Sequence, residues 1–391
     1  MSDKMISGTS RLPELDGLRA IAILLVLFSH HLAPVPVASI RYVVEMGWVG
    51  VDLFFVLSGF LIGGILLDQR TAANYYRVFY LRRFFRIVPL YALLVIPGLL
   101  ALSLGLQAHF TGHSMANLTP YGMWLCVFFV QNFDAIFRFG IPFYLTPTWS
   151  VAVEEQFYLL LPPLVKNVDP KKLLKILVLI IISAPVLRGI LIFTLRQNAG
   201  MQEQVTIMCY TLLPCRWDSL LLGVVGAIAF RDMRFHKWMG MHLRHFQLLW
   251  CFSGLICLAL LFCSDGRLDP KLSIVGYTLI DAWFAITLLL AVMNPSGGLH
   301  RFLRLPAFKP VAIISYGLYL LQSPVAAVVK AFVLLAHLHY PDVSWTATGV
   351  ALLSLSLTAV AAAISWKFLE SRMIRMGHQH RYQHAAPGEG N

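Results

Sequence analysis

Charge is what this 391-residue sequence has least of: 13% of its residues are Asp, Glu, Lys or Arg, against about 25% in ordinary soluble domains. With 58% hydrophobic residues and a mean hydropathy of +0.71, that scarcity excludes a soluble globular protein. No polar stretch is long enough for a separate soluble domain, and no internal repeat or low-complexity region is visible. The six cysteines, at 126, 209, 215, 251, 257 and 263, form no C-x-x-C pair, so neither a zinc site nor a disulfide framework is expected. No basic stripe is interleaved with exposed aromatics, which argues against nucleic acid as a partner. After the polar opening MSDKMISGTSRLPELDG no small-residue cleavage pattern follows the first apolar run, so that run is expected to stay.

What is present is a series of apolar runs, each needing about 20 residues to cross the hydrocarbon as a helix. Eleven can be drawn, near residues 18–33, 47–67, 87–106, 121–133, 148–165, 173–195, 212–230, 246–263, 272–293, 311–335 and 345–366. The fourth is short. Lysine and arginine decide whether it crosses, because loops rich in them stay cytoplasmic. The basic stretches are Arg70–Arg86, Lys166–Lys175, Arg231–Arg244, Arg301–Lys309 and the tail from Lys367. If 121–133 does not cross, all five fall on one side, and the loops at 107–120 and 336–344, without Lys or Arg, fall on the other. The expectation is therefore an all-α polytopic membrane protein of ten transmembrane helices. Both termini are cytoplasmic, and 121–133 is re-entrant or interfacial. The net charge of +12 follows from the same bias. Residues 1–376 are read as one transmembrane domain and 377–391 as a disordered cytoplasmic tail, its histidines in solvent.

Within this topology the stretch LRAIAILLVLFSHH acquires geometry. Arg19 and His30 are eleven residues apart, three turns plus about 20°, so they share a face roughly 16 Å apart along the axis. Asp52, in GWVGVDLFFVLSGFLIGG, and Glu154, in PTWSVAVEEQFYLLLP, are expected near the depth of His30, toward the outer side. Ser150, Glu154 and Tyr158 recur every fourth residue on one face. Insertion scales charge about 3 kcal/mol for such a group at mid-helix, so several at one depth point to function. Glu155 lies about 100° round from Glu154 and is read as a partner for Arg188 or Arg216. Gly59 and Gly63 read as close helix packing. In YLRRFFRIVPLY, Arg82 and Arg86 share a face and Arg83 lies beside them. With Arg19 at the same level they make a cradle for a polyphosphate, whose oxygens the guanidinium fork binds bidentately.

These residues resemble the membrane acyltransferase-3 family of bacterial acyl-CoA-dependent glycan O-acyltransferases over most of the chain. The family's arginine-x10-histidine signature stands here as Arg19 and His30, followed by GVDLFFVLSGFLI, RRFFRIVPLY, TWSVAVEEQFYLLLP, CRWDSLLLG, ISYGLYLLQ and WKFLES in the family's order. Where many relatives carry a histidine after the SYxLYL segment this chain has Gln322, so no acid-base role is assigned there. The resemblance implies transfer of an acyl group, usually acetyl, from coenzyme A to a hydroxyl of an envelope polysaccharide, lipopolysaccharide or glycolipid, in the bacterial inner membrane. No permanently bound cofactor or metal is expected, acyl-CoA being a donor substrate. A homo-oligomer is compatible with this reading.

On this reading Arg19, Arg82, Arg83 and Arg86 bind the donor. His30, which must be neutral to act as a general base, takes the acceptor proton with Asp52 and Glu154 nearby. An acyl-histidine route is an alternative. Ser150, Tyr158, Arg216 and Asp218 are candidates for holding the sugar, with an internal ion pair fitting the last two equally well. A glycolipid transporter or flippase is the runner-up, because intramembrane charges also mark substrate pathways. It has no need of phosphate-binding arginines on one side only.

Overall fold

The computed structural model describes residues 12–32, 43–104, 119–198, 200–339 and 346–384. Every regular element among them is helical. The principal helices are α1 (Pro13–His31), α2 (Val49–Asp68), α3 (Tyr75–Ser103), α4 (Pro120–Val127), α5 (Trp149–Asn167), α6 (Pro170–Leu195) and α7 (Gln202–Thr211). They continue as α8 (Leu213–Arg231), α9 (Leu243–Phe262), α10 (Tyr277–Met293), α11 (Ser315–His339), α12 (Ala347–Ser365) and α13 (Ser371–Gln379).

Eight helical stretches are long and apolar enough to cross a membrane, namely Val43–Asp68, Tyr75–Ser103, Pro170–Leu195, Gln202–Arg231, Leu243–Phe262, Leu272–Met293, Ser315–Ala336 and Ala347–Gln379. This is a multi-pass membrane protein. Two further helices of 19 residues, α1 and α5, fall outside that set. Each carries three charged residues, Glu14, Asp16 and Arg19 in α1 and Glu154, Glu155 and Lys166 in α5. The expected short element is α4, whose eight residues reach only about 12 Å. After it the chain folds against the start of α5, where Gln131 donates to the carbonyl of Thr148 (2.8 Å) and Gln156 donates to Asn132 Oδ1 (2.8 Å).

At the centre α2 packs on α8. A Cβ at Gly59 would collide with the backbone of Leu220, and one at Gly223 with that of Val56, so the two backbones touch. Pro214 stands in the first turn of α8, where a missing N–H costs nothing. The extended Leu212 separates α8 from α7.

The five basic stretches gather at one end of the molecule. Lys166 donates to the carbonyl of Arg70 (2.6 Å), and Arg231 clamps Asp68 through two bonds of 2.7 Å. Arg304 reaches Glu14 in the first turn of α1 (3.2 Å), and residues 380–384 lie along the loop before α3. Of the tail expected to lack structure, residues 377–384 are thus placed against α3 and that loop; residues 385–391 lie outside the described residues.

Candidate functional site

Three arginines from two helices open the site. Arg19, on α1, keeps 26% of its side chain exposed and lies 3.7 Å from Asp16. Arg83 and Arg86, on α3, line the same cavity of about 310 Å³. Beyond Arg19 and Arg86 this cavity adjoins a vestibule of about 550 Å³ that also reaches Asp68, Arg231 and His378. Arg83 lies 6.0 Å from the ring centroid of Tyr158, and its buried Nε finds no hydrogen-bond partner among the described residues. Arg82 is a correction to the expected cradle. Its guanidinium donates to the carbonyl of His380 (3.1 and 2.7 Å) and lies 5.0 Å from the Tyr382 ring. Neighbouring helix positions point about 100° apart, so Arg83 faces the cavity while Arg82 faces the C-terminal segment.

Midway, the α5 stripe faces inward as its spacing requires. Tyr158 donates to Glu154 Oε2 (3.1 Å) and shares a 2.5 Å hydrogen bond with Ser58 of α2. One turn along, Ser150 and Tyr319 of α11 are 2.6 Å apart, and Tyr319 also donates to the carbonyl of Pro147 (2.8 Å). All five side chains line the cavity. Ser58 and Tyr319 escaped the sequence reading. Ser58 is the one hydroxyl in the apolar run VGVDLFFVLSGFLIGG, and Tyr319 sits in ISYGLYLLQ, so both were visible as polar exceptions. Glu155 neighbours Arg83, not Arg188 or Arg216 as expected.

His30 stands exposed near the far end of α1. The Gln322 side chain lies near it, and the charge of Arg267 acts on it. Gln322 is 1% exposed and donates to the carbonyl of Tyr319 (3.1 Å). It therefore stands three residues beyond the cavity's hydroxyl pair, about 4.5 Å of helical rise. Arg267 belongs to the loop before α10. Its carbonyl accepts from Tyr277, and Asp269 ties that loop by accepting from the N–H groups of Asp265 (3.1 Å) and Lys271 (2.7 Å).

The structure separates three other expected site residues from this passage. Asp52 forms an ion pair with Arg216, both fully buried, and Arg216 lies 4.7 Å from the Tyr277 ring centroid. Asp218 pairs with Arg188 at 2.9 Å and accepts from Thr278 at 2.5 Å. Asp281 accepts from Ser219 at 2.5 Å in the same interior. A guanidinium removed from water needs a carboxylate beside it, and the two arginines take Asp52 and Asp218. Neither Asp52, Arg216 nor Asp218 lines the cavity. The side chain of Asp52 is thus turned to Arg216 and that of Asp218 to Arg188.

A family profile described as an acyltransferase domain, acyltransferase-3, matches residues 12–366. The chain is 26% identical to the peptidoglycan O-acetyltransferase OatA of Listeria monocytogenes, over 93% of this chain and 56% of that protein. It is 27% identical to the O-acetyltransferase OatA of Staphylococcus aureus, over 94% of this chain and 58% of that protein. It is 29% identical to the putative peptidoglycan O-acetyltransferase YrhL of Bacillus subtilis, over 80% of this chain and 48% of that protein. The chain thus spans about half the length of these curated relatives. No solved structure matches.

Proposed function

This chain belongs to the acyltransferase-3 family, and from that premise we propose that it is a membrane O-acetyltransferase carrying an acetyl group from cytoplasmic acetyl-CoA to a hydroxyl of an envelope carbohydrate. Peptidoglycan is the acceptor in the names of two relatives and heads the class, ahead of lipopolysaccharide and glycolipids. The observation that carries this reading is the passage itself. It begins at Arg19, Arg83 and Arg86, runs past Tyr158 and Glu154, and ends at Ser150 and Tyr319, one turn of α11 before Gln322 and His30.

On this reading the phosphates of coenzyme A lodge at the arginines, where the fork geometry suits them. The pantetheine arm follows the polar stripe, with Glu154 as an acceptor along it, and the thioester emerges toward His30. His30 takes the proton of the acceptor hydroxyl as its oxygen bonds to the thioester carbonyl carbon. The carbon–sulfur bond breaks, the thiolate takes up a proton, and free coenzyme A leaves.

The topology we propose has ten spans, the eight apolar stretches together with α1 and α5, with both termini in the cytoplasm of a bacterium and the protein in its inner membrane. Convergence of all five basic stretches at the arginine end supports it. The test is coenzyme A release by the purified protein in lipid nanodiscs given acetyl-CoA and a soluble glycan acceptor. Thiol release matched by acetylated acceptor is expected. Acceptor movement without thiol release would instead mark a glycolipid carrier.

A further inference from the structure

We infer that the C-terminal segment 377–384 is part of the donor site, with His378 completing a phosphate-binding mouth that the membrane helices leave unfinished; this rests on the donor reading above. The segment lies beyond residue 366, where the family match ends. Gly377 allows the approach, since a Cβ there would come within 3.1 Å of Phe85 Cβ and 3.5 Å of Arg82 Cα. The strap that follows is fastened along its length. Arg82 donates twice to the carbonyl of His380 (3.1 and 2.7 Å). Asn74 donates to the carbonyl of Arg381 and accepts from the N–H of Gln383, both at 2.9 Å. Ala73 donates to the carbonyl of Gln383 (2.9 Å), and His384 bonds Gln69 (3.0 Å).

This fastening sets two side chains beside the arginines. His378 lines both the cavity and the vestibule, together with Arg19 and Arg86. Tyr382 lies against Arg82, and its buried hydroxyl has no hydrogen-bond partner among the described residues; the same holds for Arg83 Nε. Buried polar groups are almost always paired. The unpaired Arg83 Nε, the His378 imidazole and the guanidinium groups of Arg19 and Arg86 around one opening suit the oxygens of a nucleotide bearing several phosphates, while Tyr382 stands behind them against Arg82. Arg82 is then a positioning residue, acting through the strap.

The test titrates coenzyme A into the full chain in nanodiscs of zwitterionic lipid and, separately, of anionic lipid. Wild type is compared with His378→Ala and Arg82→Gln, each checked for unchanged thermal unfolding. The expected result is a Kd raised about tenfold by each variant in both lipids. Coenzyme A should also slow hydrogen exchange of residues 377–384 in the wild type, and Arg82→Gln should abolish that slowing. Variants that bind as wild type does, with exchange indifferent to ligand, would overturn this inference alone. A loss seen only in anionic lipid would also overturn it, as the mark of a headgroup site. A wild type that binds no coenzyme A would overturn the donor reading and the inference together.

Discussion

Arg216 and Asp52 form an ion pair from which water is wholly excluded. The pair joins α8 to α2, the two helices whose glycines bring their backbones together. The charges in this interior therefore hold the bundle. Breaking such a pair by removing one partner costs about 3–5 kcal/mol, because the other charge stays buried alone. Asp52→Ala is expected to lower the unfolding temperature in detergent steeply, whereas the double replacement Asp52→Leu with Arg216→Met recovers much of the loss. An Asp52→Ala protein as stable as wild type but inert would return Asp52 to the chemistry.

The glycine contact gives a second expectation. Gly59→Val places a Cβ where the backbone of Leu220 lies, and α2 and α8 have to separate. The variant is expected to lose its monodisperse peak in size-exclusion chromatography; an unaltered peak and unfolding curve would refute the close packing.

Tyr158 joins Glu154 to Ser58 across the cavity. Tyr158→Phe removes the donor from a half-buried carboxyl group, a loss of about 1–3 kcal/mol. The KM for acetyl-CoA should rise roughly 5- to 150-fold, with the unfolding temperature falling by only a few degrees. An unchanged KM would remove the polar stripe from the donor path.

Arg83 and Arg86 are expected to differ from Arg82 in kind. Replacing either cavity arginine by alanine takes away charge-assisted bonds of about 1.5–3 kcal/mol each, so coenzyme A binding should weaken roughly 10- to 100-fold. Hydrogen exchange in 380–384 should stay as in wild type for these variants. Release of that segment by Arg83→Ala would show that the two arginines share one role.

Much of the site was legible where helical period alone decides. Arg19 and His30 on one helix, the inward stripe of Ser150, Glu154 and Tyr158, the brevity of 121–133 and the packing of Gly59 all follow from spacing along a single segment. What spacing does not carry is rotation of one helix against another. Asp52 lies deeper than His30, since Gly50 just before it already abuts Ala22 and Val26 of α1, and its side chain turns to Arg216 on α8. Arg82 and Arg83 differ by one position, and only the docked C-terminal segment decides which faces the cavity. That segment, rich in His and Gln, has the composition of a solvated tail. Its order comes from bonds to the loop before α3, more than 300 residues away in sequence. Gln322, set aside for its chemistry, adjoins His30 because α11 passes α1 there.

The most direct test of the account is single-turnover acetyl transfer by wild type and His30→Ala in nanodiscs, with acetyl-CoA binding measured on the same preparations. The account predicts equal binding and a transfer rate reduced by about 10²- to 10⁴-fold in the variant, the range for loss of a general base. Transfer at the wild-type rate by His30→Ala would contradict it.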